Sequence, residues 1–147
     1  MKIDLVATVF IFSDNKVLLV HHKKLNKWLP VGGHIEKNET PDDTIIREAK
    51  EETNLNIKIL NQSDTLIDNN VKRKLAIPFY ADVHNVGDHD HCSLFYIAKA
   101  TNSDELKIND ELLGYRWFSK DDLEDDIVLK NVRNQALKAF EIYKIYN

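Results

Sequence analysis

Both ends of one short helix are specified by the sequence, and this helix most constrains how the chain folds. Thr40 is a favourable N-cap, Pro41 suits the first helical position, and Asp43 completes a capping-box pattern with Thr40. Asn54 suits a left-handed stop, so the sequence predicts a helix from residue 41 to 53. Its predicted core-facing stripe consists of Ile45, Ile46 and Ala49.

Strands are predicted on both sides of this helix, and a second helix near the end. Segments rich in β-branched and aliphatic residues predict strands at 3–12, 16–22, 55–60, 71–84, 92–100 and 112–118. Segment 25–35 predicts a strand that runs into a loop. A second amphipathic helix is predicted after an acidic cap, Asp125-Asp126. Its apolar residues recur at helical spacing: Leu129, Val132, Ala136, Phe140 and Tyr143. We therefore expect an α/β (α+β) fold, a sheet with helices on its faces, in one domain spanning 1–147.

Composition and charge limit the classes of partner. The chain has 147 residues, of which 43% are hydrophobic and 30% charged, as in ordinary globular proteins. With 20 Lys and Arg against 24 Asp and Glu, its formal net charge is −4, which argues against nucleic-acid polymers and membrane surfaces. Cys92 is the only cysteine, and the apolar run from Leu5 to Phe12 is too short to span a bilayer. We expect a cytoplasmic monomer or homodimer with a small-molecule substrate.

Three glutamates on the predicted helix give the first indication of chemistry. Glu48, Glu51 and Glu52 stand at positions i, i+3 and i+4, so their carboxylates crowd one side of the helix. Arg47 can pair with Glu51, but one cation does not neutralise three acids, and the helix dipole disfavours anions at this end. A solvated acidic face is the alternative. A divalent cation would remove the repulsion, and all-oxygen ligands suit Mg²⁺ or Mn²⁺.

A glycine pair precedes the helix on the loop side. Gly32 and Gly33 let a backbone carbonyl approach an ion or a phosphate closely, although a glycine pair alone more often marks a turn. His34 follows and is a candidate phosphate contact, with an ordinary exposed histidine as the alternative. We therefore take these three residues as candidate substrate-binding residues.

The spacing of these residues resembles the signature of the Nudix hydrolases. The match comprises a glycine, an early glutamate and a charged stretch of helix: Gly33, Glu39, Arg47-Glu48-Ala49, Glu51-Glu52 and Asn54-Leu55. The chain departs from the family pattern at Asn38 and Asn54, where the family commonly has glycine. Asparagine most readily replaces glycine in the left-handed region, so we expect the loop–helix–loop geometry to be retained.

This resemblance implies a fold, an activity and a set of roles. The fold is a mixed β-sheet sandwiched between helices, and the activity is Mg²⁺-dependent hydrolysis of a diphosphate linkage in a nucleoside diphosphate joined to another group. Glu39 and Arg47 are implied to form an ion pair that orients the glutamates. The implied metal ligands are the Gly33 carbonyl and the carboxylates of Glu48, Glu51 and Glu52.

The general base and the reaction class both have alternatives. Glu48 and Glu51 are candidate bases within the motif, and Glu111, in the later loop 109–111, is a candidate outside it. A nucleotide-binding sensor domain without turnover and a diphosphate isomerase are the two other functions compatible with this fold. Isomerases tend to need a cysteine and a glutamate in the pocket, and Cys92 alone does not establish that chemistry. The three retained glutamates favour the hydrolase.

Two further segments are candidate substrate contacts. Arg73 belongs to the basic cluster 72–74, which could meet substrate phosphates; a solvated edge strand is the alternative, because side chains alternate along a strand. His89 and His91 lie in the polar segment 85–91. Their spacing matches no strong zinc template, so a loop that closes over substrate is the favoured interpretation.

Overall fold

The computed structural model describes residues 2–61 and 69–146. Within these residues the strands are β1 (Ile3–Ser13), β2 (Lys16–His22), β3 (Lys27–Leu29), β4 (Val31–His34), β5 (Ile57–Ile59), β6 (Tyr80–Asn85), β7 (Asp90–Ala100) and β8 (Leu112–Phe118). The α-helices are α1 (Pro41–Thr53) and α2 (Lys130–Tyr146). Short 3-10 turns lie at Ser103–Glu105 and Asp121–Glu124.

Strand β1 organises a mixed sheet. On one side it pairs in parallel with β7 from Ile3 to Phe12. On the other side it pairs antiparallel with β4 and, near its end, with β2. Strands β3 and β8 pair with β2, and β5 and β6 pair with β7. The described strands therefore form one eight-stranded sheet, with β1 between the two groups.

Alternating apolar residues of β1 contribute to two separate cores. Ala7 and Val9 pack with Ile45 and Ala49 of α1 on one face of the sheet. On the other face, Phe10 and Phe12 of β1 pack with buried residues of α2: Val132, Ala136, Ala139, Phe140 and Tyr143. The sheet thus lies between two helices, which confirms the predicted fold class.

Helix α1 begins and ends where the sequence predicts. The Asp43 N–H donates to Thr40 Oγ1 at 3.1 Å, and the Thr40 N–H donates to Asp43 Oδ2 at 3.0 Å. Asn54 adopts a left-handed conformation with φ 60°, and its N–H donates to the Lys50 carbonyl. Asn38 is also left-handed, with φ 67°. Both asparagines therefore take the conformation that glycine would otherwise supply.

The predicted strand 71–84 is wrong over most of its length, because only Tyr80–Asn85 forms a strand. The segment before it finds other partners for its backbone. The Ala76 N–H donates to Asp42 Oδ2 at 3.1 Å, and the Ile77 N–H donates to the Asn61 carbonyl at 2.9 Å. The basic cluster 72–74 therefore does not lie on a strand, and the argument from alternating side chains does not apply to it.

Three smaller predictions are also corrected. Ile46 is 47% exposed, so the core stripe of α1 consists of Ile45 and Ala49. Helix α2 begins at Lys130, which leaves Leu129 outside it. Asp125 does not cap this helix, because its carboxylate accepts hydrogen bonds from the Ile127 N–H and from Arg116. In the described part of the chain, neither helix combines the length and the apolar character needed to cross a membrane.

Candidate active site

The two glycines of β4 face different neighbours. A Cβ added to Gly33 would lie 2.7 Å from Cδ of Glu48, so the absence of a side chain makes room for this carboxylate. A Cβ added to Gly32 would lie 2.6 Å from the carbonyl oxygen of Ala7 and 2.9 Å from Cα of Thr8. Gly32 therefore lets β4 pack closely on β1, whereas Gly33 lets α1 bring Glu48 onto β4.

Glu52 is the most enclosed of the three glutamates. Its side chain is 2% exposed, and its Oε2 atom has no hydrogen-bond donor among the described residues. Burial, followed by the charge of Glu48, raises the pKa of Glu52. Burial also raises the pKa of Glu48, although Arg47 opposes this change. The raised pKa values mean that nearby positive charge does not fully compensate these buried carboxylates, and a bound cation would supply that charge.

Arg47 fixes the loop before α1 to the helix. Its Nε donates to Glu39 Oε2 at 2.6 Å and its Nη2 donates to Glu39 Oε1 at 3.1 Å. Thr44 Oγ1 also donates to Glu39 Oε1, at 2.8 Å. The hydrogen bonds from Arg47 are the main reason that the pKa of Glu39 falls to about 2. This fork, in which two guanidinium nitrogens bind the two oxygens of one carboxylate, fixes the orientation of Arg47, which a single point charge could not do.

The free end of the same guanidinium reaches the glutamate cluster. Arg47 Nη1 donates to Glu48 Oε1 at 2.9 Å and to Glu51 Oε2 at 3.3 Å. Its Nη2 also donates to the carbonyl of His34 at 3.2 Å. Glu51 is 57% exposed, so its carboxylate opens to solvent while Glu52 remains enclosed. Arg47 therefore positions two of the acids and the backbone beside Gly33.

Glu111 joins the cluster through a loop that is tied to the end of α1. Asn109 Nδ2 donates to the Glu51 carbonyl at 3.1 Å, and the Asn109 N–H donates to the Glu52 carbonyl at 3.1 Å. The Asn109 side chain in turn accepts the Glu111 N–H at 3.0 Å. The charge of Glu111 contributes to the raised pKa of Glu52. Glu111 is thus held beside Glu52, although it follows Glu52 by 59 positions in the sequence.

An open cavity of about 1020 Å³ adjoins this cluster and is lined by His22, His34 and Glu111, among others. A second cleft, of about 240 Å³, shares His22 and His34 with it and includes both Gly32 and Gly33. Residues of the sheet and of α2 line the rest of this cleft: Thr8, Ser93, Phe95 and Gln135. Gly32 and Gly33 therefore line the smaller cleft, and His34 lines both this cleft and the cavity that Glu111 borders.

The structure does not bring Arg73 to this space. Arg73 Nη1 donates to Asp43 Oδ1 at 2.9 Å and Nη2 donates to Asp43 Oδ2 at 3.2 Å, at the N-terminal end of α1. Cys92 also lies away from the cleft, since Ser93 and His91 line the cleft and Cys92 points to the opposite face of β7.

Two residues near the acids were not predicted from the sequence. His22 Nε2 lies 3.7 Å from Glu52 Oε1, and burial lowers the pKa of this imidazole. Asn109 anchors the Glu111 loop. The sequence carries no signal for His22, because its proximity depends on where β2 ends. Asn109 belongs to the predicted loop 109–111, but the groups it binds are backbone carbonyls and the Glu111 N–H, which no side-chain pattern identifies.

The donor set fits a divalent metal ion. Glu48, Glu51 and Glu52 supply carboxylate oxygens, one of which is buried without a donor, and Gly33 brings the backbone within contact of Glu48. Oxygen ligands of this kind are typical of sites for hard divalent cations. The raised pKa values of Glu48 and Glu52 have burial as their main cause, and a cation would favour the charged forms.

Comparison with known proteins agrees with this geometry. A solved structure described as a hydrolase of the NUDIX family from Clostridium perfringens is 36% identical, with a TM-score of 0.81, over 97% of this chain and 99% of that chain. A C. elegans Ap4A hydrolase, 17% identical with a TM-score of 0.72 over 98% of this chain and 99% of that one, shares the fold.

A curated relative, a probable DHNTP pyrophosphohydrolase from Lactococcus lactis subsp. cremoris (strain MG1363), is 32% identical over 95 residues. The match covers 65% of this chain and 53% of that protein, so the chain spans about half the length of this relative. A family model described as NUDIX domain matches residues 2–140. Since this match covers nearly the whole chain, the protein belongs to the NUDIX family.

Proposed function

We propose that this chain is a pyrophosphohydrolase that cleaves a diphosphate linkage in a nucleoside diphosphate joined to another group. The observation that carries this proposal is the cluster of Glu48, Glu51 and Glu52 opposite Gly33, in which one buried oxygen of Glu52 has no donor among the described residues. The cluster borders an open cavity of about 1020 Å³. A diphosphate placed there requires its negative charge to be neutralised before water can attack.

The carboxylates of Glu48, Glu51 and Glu52, with the Gly33 carbonyl, would hold Mg²⁺ or Mn²⁺. Such an ion, when bound, neutralises phosphate oxygens and acts as a Lewis acid. The protein's part is to hold the acids in place. Arg47 does so through its fork to Glu39 and its hydrogen bond to Glu48.

Glu111 is the best-placed general base. It has no ion-pair or side-chain hydrogen-bond partner among residues 2–61 and 69–146, and it lines the cavity. Glu48, by contrast, is bonded to Arg47 at 2.9 Å, and Glu51 is bonded to the same guanidinium at 3.3 Å. A carboxylate free of cation partners can accept a proton from the attacking water. We therefore favour Glu111 over the two motif residues for this step.

A small nucleotide-derived substrate fits the space beside the acids. The adjoining cleft of about 240 Å³ offers the ring of Phe95 together with the polar side chains of Thr8, Ser93 and Gln135. The curated relative, a probable DHNTP pyrophosphohydrolase, is named for the same class of reaction. The diphosphate isomerase alternative is not favoured, because Cys92 points to the face of β7 opposite the cleft.

The test is a substrate panel with Mg²⁺: nucleoside triphosphates, nucleotide sugars, ADP-ribose, dinucleoside polyphosphates and DHNTP. Reaction in ¹⁸O-labelled water, followed by mass spectrometry, identifies the product and the phosphorus that is attacked. An isomerase would give a product of unchanged mass, and a sensor domain would bind nucleotide without turnover. Either of these results would contradict the proposal.

Two matched substitutions separate the metal site from general effects of losing a charge. We expect Glu52→Gln to abolish turnover while circular dichroism shows a retained fold. Glu141→Gln is the control, because Glu141 is an exposed residue of α2 that pairs only with Lys138 among the described residues, at 3.4 Å. Undiminished turnover in Glu52→Gln would refute the role of the carboxylate cluster.

A further inference from the structure

Four metal-ligating side chains from separate segments converge beside the cavity. Asp4 lies on β1, His34 is the last residue of β4, and His89 and His91 flank the start of β7. Their ligand atoms all lie within 4.8 Å of one another. The strand register explains the convergence: Asp4 is opposite His91, and His34 is opposite Val6, which lies on the same face of β1 as Asp4.

Three of the six distances between these ligand atoms have the lengths expected of a four-coordinate site. Asp4 Oδ2 lies 3.5 Å from His34 Nε2 and 3.4 Å from His89 Nε2. His89 Nε2 lies 3.2 Å from His91 Nε2. With metal–ligand bonds of about 2.0–2.1 Å, two ligands of a tetrahedral ion stand about 3.3–3.4 Å apart. These three distances therefore have the length of a tetrahedron edge, and all four ligand atoms lie within 4.8 Å of one another.

The arrangement of protons also favours a cation between these atoms. His89 Nδ1 lies 2.7 Å from Asp88 Oδ1, and because a carboxylate only accepts, this nitrogen carries the hydrogen. In the neutral ring, His89 Nε2 then presents a lone pair toward Asp4 Oδ2, which is itself an acceptor. Two acceptors at this distance repel each other unless a proton or a metal cation lies between them. The Asp88 contact is also the carboxylate–histidine arrangement that orients metal-bound imidazoles.

The chemical type of the ligands distinguishes this cluster from the glutamates of α1. Three imidazole nitrogens and one carboxylate suit Zn²⁺ and related transition metals, whereas an all-oxygen set suits Mg²⁺ or Mn²⁺.

We propose that Asp4, His34, His89 and His91 bind one Zn²⁺-class ion at a site separate from the carboxylates of α1. The ion joins the N-terminal strand, the end of β4 next to Gly33, and the β6–β7 connection. These segments form one wall of the cavity of about 1020 Å³, which Asp4 and all three histidines line. Binding therefore fixes the wall that faces the substrate.

The test uses tag-free protein titrated with Co²⁺ and, in parallel, with Zn²⁺. Four-coordinate Co²⁺ gives much stronger visible absorption than six-coordinate Co²⁺, so its spectrum reports the geometry directly. We expect one equivalent of Co²⁺ to give the four-coordinate spectrum and one equivalent of Zn²⁺ to displace it. His91→Ala and Asp4→Asn should each abolish that spectrum. Asp88→Asn should weaken binding about 10–100-fold, as expected for loss of an outer carboxylate partner.

His84→Ala is the matched control, since His84 lies 5.7 Å from the His91 ring, pairs with Asp82 and is outside the cluster. It should retain the four-coordinate spectrum. Glu52→Gln should retain it as well, so loss of hydrolysis and loss of this site are separable. Absence of a four-coordinate spectrum in folded wild-type protein would overturn the proposal, as would its persistence in both His91→Ala and Asp4→Asn.

Discussion

Gly32→Ala and Gly33→Ala add the same methyl group to neighbouring residues of β4, and we expect opposite outcomes. At Gly32 the new Cβ would lie 2.6 Å from the carbonyl oxygen of Ala7 and 2.9 Å from Cα of Thr8. Both are backbone atoms of β1, so relief requires the strands to separate. At Gly33 the new Cβ would meet the carboxyl end of the Glu48 side chain, which can rotate away without moving the backbone.

The expected magnitudes follow from these contacts. Overpacking against a fixed strand costs about 1–3 kcal/mol, so Gly32→Ala should lower the free energy of unfolding by that amount. In Gly33→Ala, Cδ of Glu48 starts 2.7 Å from the new Cβ and must move about 0.7 Å to reach ordinary contact at 3.4 Å. A misplacement of about 1 Å can cost about 10²-fold in rate. We therefore expect Gly33→Ala to lose about 10²-fold in kcat with a nearly unchanged free energy of unfolding.

Urea denaturation followed by circular dichroism measures the first quantity, and steady-state kinetics with the substrate found in the panel measures the second. Isothermal titration with Mn²⁺ adds a direct measure of metal affinity, which Gly33→Ala should also weaken. The reasoning is refuted if Gly33→Ala keeps full activity, or if it is destabilised as much as Gly32→Ala. The first result would mean that the position of Glu48 over Gly33 is not needed for turnover, and the second that Glu48 cannot move aside without straining the backbone.

Two further predictions concern the two ends of α1. Arg47→Lys should lower kcat about 10–100-fold while the melting temperature changes little. Lysine cannot form both hydrogen bonds to Glu39 and also hold Glu48 and Glu51. Undiminished kcat would show that the contact between Arg47 and Glu39 does not position the acids. Asp43→Asn should destabilise the protein by about 1 kcal/mol at pH 7, because the exposed Arg73 pair is lost and the hydrogen bond that Asp43 Oδ2 accepts from the Thr40 N–H loses its charge. Arg73, and then Thr40, lower the pKa of Asp43, so this stabilisation is present above about pH 4, the unfolded value, and is lost as the pH falls through the folded value. Urea denaturation at several pH values should therefore show the difference between Asp43→Asn and wild type shrinking in acid, and a difference that stays constant would contradict this cause.

Local interactions explain why α1 was predicted correctly. The capping box joins residues three positions apart, and the left-handed stop at Asn54 bonds to Lys50 within the same helix. Such contacts depend on a few neighbouring residues, so they can be identified in the sequence. The same holds for the alternation in β1, whose period of two places Ala7 and Phe10 in different cores.

Predictions failed where a distant partner competed with a local preference. Segment 71–79 has residues suited to a strand, but the Asp42 carboxylate on α1 takes up the Ala76 N–H instead. Arg73 was a candidate phosphate contact, with a solvated edge strand as the alternative, and its guanidinium pairs with Asp43, 30 residues earlier. Ile46 has the spacing of a core residue, yet it is 47% exposed. Each outcome depends on which elements become neighbours in space.

The sequence by itself determined the helix with its caps and the identity of the acids, because these depend on spacing along one segment. It determined the fold class through the order of strand and helix patterns along the chain. The tertiary structure decided which groups meet. It holds Glu111 beside Glu52 through Asn109, encloses one carboxylate and exposes another, and gathers Asp4 and His34 with two histidines of a distant segment. Those contacts follow from strand pairing between remote parts of the chain, and no local pattern encodes the register of that pairing.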